Sequence, residues 1–467
     1  MNKKYDFSKI IKHLDNKEYS FDQDLIGPHC IDWRKKYQGT CDLIVFPKSI
    51  KNLSKVVKEC SLQKISIIPQ GGNTSLVGGS VPRKNKSEII INLRNLNKIR
   101  RIDTLDFSIS VESGCILEDI QNEVKKRKMI FPISMGSRGS CQIGGNIATN
   151  AGGLNVIKYG LLRHNILGLE AVMSDGRIYS DLKKIRKNNT GYDLKQLLIG
   201  SEGTLGIITA ANIKTFPESK EENVIFASFQ SFNDLLDFYH NTVMYFSDLL
   251  TSFEMINSDS MDLVIKHNFD LTNFIEKGEY YCLVELSNFL SIPNFYSLII
   301  DNLSKIKSNV NSIIVSKSQN ENIKFWKYRE AIPPSETNEK ICIQHDISLP
   351  LENMNEFIKE TINEIKKISP DIKIINFGHL GDNNLHFNIL SSETSNYNTL
   401  IKNKDKITGI IYSKTYKYHG SFSAEHGIGQ LKRKELKKYK PKEEFEQMLK
   451  IKKNFDPNNI LNPGKIF

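Results

Sequence analysis

Seven cysteines are scattered through 467 residues, and no two stand in CxxC spacing. That argues against a zinc ribbon, an iron–sulfur cluster or a disulfide framework. Any redox chemistry must then come from a bound cofactor that cysteine does not ligate. No apolar run reaches the roughly 20 residues that span a bilayer. The N-terminal MNKKYDFSKIIKHLDNKEYSF has lysines but neither an apolar stretch behind them nor the Arg/Ser bias of a transit peptide, so a cytoplasmic location is expected. Neither the ATPase loop GxxxxGK[ST] nor the dinucleotide fingerprint GxGxxG occurs. The net charge is +11, yet no basic stripe is interleaved with aromatics. The lysines are spread, as in KKIRK and ELKKYKPK, and travel with Asn and Ile. This excludes a nucleic-acid partner and leaves a solvated surface or an acidic partner protein.

What is present is ordinary globular composition, 39% hydrophobic and 25% charged, in a chain long enough for about three domains. From Cys41 onward strand and helix patterns alternate. DLIVFP is a short strand, and SIKNLSKVVKECSLQK is a helix with Leu53, Val56, Val57 and Cys60 on one face behind a Ser49 cap. ISIIPQ, EIIINL, SISVESG and MIFP are strands, and LEDIQNEVKKR is a helix. Such order implies α/β architecture. After Pro217 glycines thin out. Amphipathic helices (FNDLLDFYHNTVMYF, NFYSLIIDNLSKIK) alternate with separated strands (EYYCLVELS, KICIQHDISL), as in an α+β domain with an antiparallel sheet. The tail from about Glu425 is helical again. The expected division is residues 1–218, 219–424 and 425–467.

Three glycine-dense loops lie in the first part. PQGGNTSLVGGSVP follows a strand, and its glycines let backbone N–H groups converge on an anion; alone it is as readily a simple turn. GSRGSCQIGGNIATNAGGLNVIKYG is long and low in charge, suited to a backbone tracking a flat, polar-edged ligand. NTGYDLKQLLIGSEGTLGIIT repeats the theme before a buried strand. Together they suggest a large cofactor lying along the domain.

In this order the loops resemble the FAD domain of the vanillyl-alcohol oxidase type. The whole chain from about Asp32 onward is similar to the D-2-hydroxyglutarate and D-lactate dehydrogenase branch, which includes the FAD-linked subunit of glycolate oxidase. PQGGNT, GGNIATNAGG, TGYDLKQLLIGSEGTLGIIT, GHLGDNNLH and SAEHGIG carry the resemblance. It implies an α+β fold: a two-lobed α/β FAD-binding domain, an antiparallel-sheet substrate domain, and a helical C-terminal segment returning to the flavin. It further implies that Gln70, Gly71, Gly72, Asn73, Thr74 and Ser75 cradle the FAD pyrophosphate. Ser140, Gly144, Gly145, Asn146, Thr149, Asn150 and Ala151, with Glu202, Gly203, Ile207 and Ile208, would line the rest of the cofactor, and Asn462 would reach the flavin from the tail. Some relatives attach FAD through a histidine in the first loop. Asn73 stands there, so non-covalent FAD is expected.

HLGDNNLHFNI reads as a turn feeding a strand. His386 and Asn388 share one face of that strand, with Phe387 and Ile389 on the other. A histidine pair is more often structural than metal-binding, and His379 with His386 leaves both readings open. Glu425 and His426 lie among small residues and glycines in SFSAEHGIGQ, either as an exposed loop pair or pointing into a cavity. Two histidines and a carboxylate are also the ligand set of open catalytic zinc sites. The resemblance assigns a divalent metal to His379, His386 and Glu425, with zinc first and manganese or iron as alternatives, and makes His426 the general base. It gives Arg329, in the W-x-x-R-E motif of a helix ended by Pro333-Pro334, the substrate carboxylate, which suits a bidentate fork. The implied activity is oxidation of a D-2-hydroxy acid, D-2-hydroxyglutarate first, to the 2-oxo acid by hydride transfer to flavin N5. A D-lactate or glycolate enzyme and a non-catalytic FAD-binding assembly subunit are the alternatives. Electrons would pass to an electron-transferring flavoprotein, a quinone system or oxygen, and a homodimer is the default assembly. One departure stands out: Gln344 occupies the place where D-2-hydroxyglutarate enzymes of the branch carry a lysine for the distal carboxylate. A neutral amide supplies no charge there, which puts a dicarboxylate substrate in question.

Overall fold

The computed structural model describes residues 5–339, 341–391 and 397–467. The chain divides into two compact units, one of Met1–Gly152, Gly160–Pro217 and Glu425–Phe467, the other of Gly153–Tyr159 and Glu218–Ala424.

In the first unit the strands Leu43–Val45, Glu88–Asn92 and Ser66–Gln70 pair in parallel, and Tyr19–Ser20 adds an antiparallel edge. The crossover helix Ile50–Gln63 starts where Ser49 accepts the Asn52 N–H at 3.1 Å, which satisfies one of the free N–H groups of a helix start. Leu53, Val56, Val57 and Cys60 are buried, the face expected from their spacing. The second lobe differs from a continued α/β pattern. Its five strands, in the order Ile99–Asp103, Ser108–Glu112, Ile207–Lys214, Ile166–Val172, Ile178–Asp181, are antiparallel throughout. Met129–Ile130 pairs only with Phe216–Pro217. Against this sheet packs Ile143–Thr149, a helix inside the segment read as an irregular ligand-tracking loop. Ile143 and Ile147 sit one turn apart and both enter the core, so two apolar side chains at helical spacing outweigh two glycines. The tail adds to the first lobe: Asn462 N–H donates to Ile67 O at 2.8 Å and Ile67 N–H to Ile460 O at 2.7 Å.

The second unit is built on an eight-stranded sheet in the order Ser312–Val315, Glu221–Phe229, Tyr280–Asn288, Leu250–Asn257, Ile372–His379, Asn384–Ser391, Cys342–Ile343, with Asp346–Ser348 also paired to Asn384–Ser391. Every one of these pairings is antiparallel. KICIQHDISL therefore forms two short strands on one neighbour rather than a single strand. Phe226 centres the core, edge-on to Phe274, Tyr281, Phe325 and Tyr328, an arrangement aromatic rings favour. Helix Gln319–Glu330 is capped by Ser318 and turns Asn322, Phe325, Tyr328 and Arg329 inward. Pro333 and Pro334 do more than end it: they lie in the first turn of a following helix, Ile332–Thr337, where a missing N–H costs nothing. That second helix carries Glu336. Among the described residues, no helix is long and apolar enough to cross a membrane.

Candidate functional site

In the first unit the loop after Ser66–Gln70 is locked from beneath. Buried Gln70 donates to His29 O at 2.9 Å and Ser80 O at 2.8 Å, while its own oxygen accepts from Asn92 at 3.1 Å. Asn73 adopts φ +54°, donates to Ile31 O at 2.9 Å and accepts from Ser80 Oγ at 2.8 Å. The Ser75 hydroxyl accepts the Gly79 N–H at 3.1 Å. Gln70, Asn73 and Ser75 thus shape the loop with their side chains. Gly72 is obligatory for packing, since a Cβ there would lie 2.0 Å from Ser140 O. Gly144 is equally constrained, 2.5 Å from Ser113 Cβ, whereas Gly145 faces open space with nothing within 4 Å.

Gln142 Oε1, beside Gly71, Ser113 Oγ, whose side chain packs on Gly144, and Asn462 Oδ1 are buried without a hydrogen-bond partner among the described residues. Orphaned buried acceptors and hydroxyls are rare in folded proteins. The residues therefore fit a polar-edged cofactor of the kind the three loops suggest. Ser140, exposed, bonds only Ser137 O at 3.2 Å. Thr149 Oγ1 bonds Gly145 O at 3.0 Å, and Asn150, at φ +51°, ends the helix and accepts the Arg163 N–H at 3.0 Å. Asn146, Ala151, Ile207 and Ile208 are buried, and Gly203 turns at φ +71° beside Pro69.

Glu202 is used differently from what the loop motif suggests. Its carboxylate accepts the N–H groups of Ile428 at 2.6 Å and Gly429 at 2.8 Å, so it anchors the loop that carries Glu425 and His426. Burial pushes its carboxyl above the ordinary range, against the pull of those two N–H groups and of Lys432 and Lys465. Asn462 donates to Glu202 O at 2.7 Å and Gly79 O at 3.0 Å, tying the tail to both loops. Glu425 Oε1 lies 2.5 Å from where a Gly152 Cβ would stand.

In the second unit His379 ends Ile372–His379 and His386 stands third in the neighbouring Asn384–Ser391, rings 5.5 Å apart and nearly perpendicular at 82°. Each histidine faces a carboxylate across the sheet, because Glu254 pairs with His379 in register and Asp346 with His386. Glu254 Oε1 accepts from His379 Nδ1 at 2.7 Å, and Asp346 Oδ1 lies 3.9 Å from His386 Nδ1. Burial alone would raise the Glu254 carboxyl, but the charges of His379 and Arg329 hold it below its usual value. Arg329 Nε donates to Glu254 Oε2 at 2.8 Å, and its guanidinium lies 4.6 Å above the Phe377 ring. Phe377 also flanks His386 at 4.9 Å. The two imidazoles and their backing carboxylates fit a divalent metal that takes nitrogen ligands. Sequence reasoning missed Glu254 and Asp346. The signal for Glu254 was a lone acid inside the apolar run LTSFEMIN.

Gln344 and Asn388, expected to face substrate, both donate to the buried Glu336 carboxylate, at 2.9 and 2.6 Å. Asn388 also accepts the His345 N–H at 2.9 Å.

Comparison with known proteins matches two family models along the chain. Residues 41–181 match an FAD binding domain, and residues 218–466 match the C-terminal domain of FAD linked oxidases. The chain is 35% identical to a mitochondrial D-2-hydroxyglutarate dehydrogenase of Arabidopsis thaliana, over 98% of this chain and 82% of that one. It is 36% identical to a mitochondrial D-2-hydroxyglutarate dehydrogenase of Danio rerio, over 95% and 82%. Among solved structures, p-cresol methylhydroxylase with substrate bound superposes with a TM-score of 0.78 at 15% identity, covering 98% of this chain and 95% of that one. Alkyldihydroxyacetonephosphate synthase gives 0.74 at 17% identity over 99% and 86%, so the fold is that of the vanillyl-alcohol oxidase type. Matched by family models across both units and by relatives along nearly its whole length, the chain belongs to the FAD-linked oxidases and is an FAD-dependent dehydrogenase.

Proposed function

We propose that the protein oxidises a D-2-hydroxy acid to the 2-oxo acid, with non-covalent FAD as hydride acceptor and a divalent metal, zinc first, at His379, His386 and Glu425. The observation that carries the reading is the single carboxylate of Glu254, which holds a metal-type histidine and a carboxylate-type arginine together. Such a pair suits a ligand whose hydroxyl and carboxylate are neighbours. Glu425 is the residue after Ala424, whose N–H donates to Asp346 O at 3.4 Å, so the chain delivers it one peptide beyond the strand that backs His386. The Asn73 amide has no nucleophilic nitrogen for a flavin bond, which supports non-covalent attachment.

When bound, FAD supplies the hydride acceptor and the metal the Lewis acidity that lowers the hydroxyl pKa. Arg329 grips the substrate carboxylate through its fork. His426 takes the hydroxyl proton, as a neutral imidazole can. Electrons then pass to an electron-transferring flavoprotein or a quinone system, and the basic net charge of +11 favours an acidic protein acceptor.

D-2-hydroxyglutarate is the first substrate by similarity. A second reading, D-lactate or glycolate, is favoured by Gln344, which meets the Glu336 carboxylate instead of offering a cation. Anaerobic bleaching of the flavin by a panel of D- and L-2-hydroxy acids tests the proposal. Only D-acids should bleach it, chelator should abolish bleaching, and added metal should restore it. Bleaching that ignores chelator would remove the metal, and no bleaching by any 2-hydroxy acid would favour a non-catalytic subunit.

A further inference from the structure

Glu254 is fully buried at the centre of the sheet, on Leu250–Asn257. A carboxylate can only accept hydrogen bonds, so the 2.7 Å contact with His379 Nδ1 requires the proton to sit on Nδ1. Nε2 is then the nitrogen left to ligate a cation once it carries no proton of its own. The second oxygen engages Arg329 at Nε, one corner of the guanidinium, and sets the plane in which its amino groups lie. Phe377, on the same strand as His379, supports that plane from one side.

We infer that Glu254 is a positioning residue for the reaction: it fixes the ligating tautomer of His379 and, with its other oxygen, the distance from that histidine to the Arg329 fork. The inference rests on the metal and arginine roles proposed above. A buried acid in a merely structural role would influence folding alone. Here metal affinity and substrate KM depend on one side chain, because the two groups it joins hold adjacent functional groups of one substrate. Glu254→Gln keeps the volume but brings an amide N–H to one of its two partners. If it faces His379, Nδ1 becomes an acceptor and the proton moves to Nε2, which can no longer ligate. If it faces Arg329, two donors oppose each other.

The test uses the full-length, FAD-loaded protein. Zn2+ binding is measured by titration calorimetry and Co2+ binding by its visible absorption, alongside kcat and KM for D-2-hydroxy acids. Glu254→Gln should weaken metal binding 10–100-fold, as loss of such a partner commonly does, and raise KM more than it lowers kcat, with FAD content unchanged. Glu254→Asp, which keeps the carboxylate, should recover part of the metal affinity. In addition, 15N shifts of selectively labelled histidine in the unmutated, metal-free protein, read at a pH where the ring is neutral, should show His379 as the Nδ1–H tautomer, a readout that needs no variant to fold. Metal affinity of Glu254→Gln within twofold of the parent, or an Nε2–H tautomer in the parent, overturns the inference while leaving the metal reading intact. A parent protein that binds neither metal overturns both.

Discussion

Gln344, at the position where the resemblance expects a lysine, donates its amide to the buried Glu336 carboxylate at 2.9 Å. Glu336 also takes the Asn388 amide at 2.6 Å, so two side chains on one side of the site are turned toward it. A cation introduced at 344 would therefore meet Glu336 before it met a substrate. Gln344→Lys alone should move the preference for D-2-hydroxyglutarate over D-lactate by less than about threefold. Combined with Glu336→Gln, which removes the competing charge and keeps the shape, it should move that preference at least about tenfold, or about 1.4 kcal/mol. The ratio of kcat/KM values reads this directly. A double variant with an unmoved ratio would mean the position does not face the distal end of the substrate.

The glycines of the first unit separate into two kinds, and substitutions should tell them apart. At Gly72 a Cβ would stand 2.0 Å from Ser140 O, and this is backbone that cannot yield cheaply. Gly72→Ala should lower both folding yield and FAD content. Gly145 lies in helix Ile143–Thr149 and faces open space. Gly145→Ala should keep or raise the melting temperature of the apoprotein, since alanine favours a helix interior by up to about 1 kcal/mol, yet weaken FAD binding by filling the space the cofactor needs. Equal FAD affinity in Gly145→Ala and the parent, measured by flavin fluorescence, would place the cofactor elsewhere.

Why the sequence shows some of this and hides the rest follows from particular residues. The need for glycine at Gly72 and Gly144 is legible because glycines crowd into short motifs, and the structure packs backbone or Cβ atoms against both positions. The helix over Ile50–Gln63 is legible too: its cap and apolar face lie within one turn pattern. Glu254 was not legible as a partner of His379, because the two lie 125 residues apart in the chain and meet only through strand register. Asp346 and His386 depend on register in the same way. The resemblance puts Glu202 at the cofactor, but its bonds to Ile428 and Gly429 were hidden because that segment lies more than 200 residues away. The antiparallel second lobe was hidden because strand direction is a property of connections, and short strands look alike in either direction.

That use of Glu202 carries its own consequence. The carboxylate caps two backbone N–H groups of the loop bearing Glu425 and His426. Glu202→Ala leaves both donors unsatisfied, at about 1–3 kcal/mol each when buried. The first unit should lose on the order of 2–6 kcal/mol of stability, and the loop should loosen before the unit unfolds. Limited proteolysis should then cut near residues 425–429 at denaturant concentrations where the parent resists. Parent-like protection of that loop would show that other contacts hold it.

Glu285 offers a pH test independent of catalysis. It is half-buried in Tyr280–Asn288, and desolvation, reinforced by Glu222, pushes its carboxyl from 4.5 up to about 7 against the hydrogen bond from Trp326. The folded state therefore holds this proton at pH values where the unfolded chain has released it, and stability must fall as pH rises. The loss begins near the ordinary value of 4.5 and is complete just above 7, on the order of 3 kcal/mol at most for a shift of this size. Glu285→Gln mimics the protonated form, and its oxygen can still accept from Trp326 Nε1. The variant should match the parent near pH 5 and exceed its melting temperature at pH 8, with the gap opening between those values. A gap that stays constant from pH 5 to 8 would mean that Glu285 carries its charge in the folded state throughout, with water or a cation reaching it from the Trp326 side.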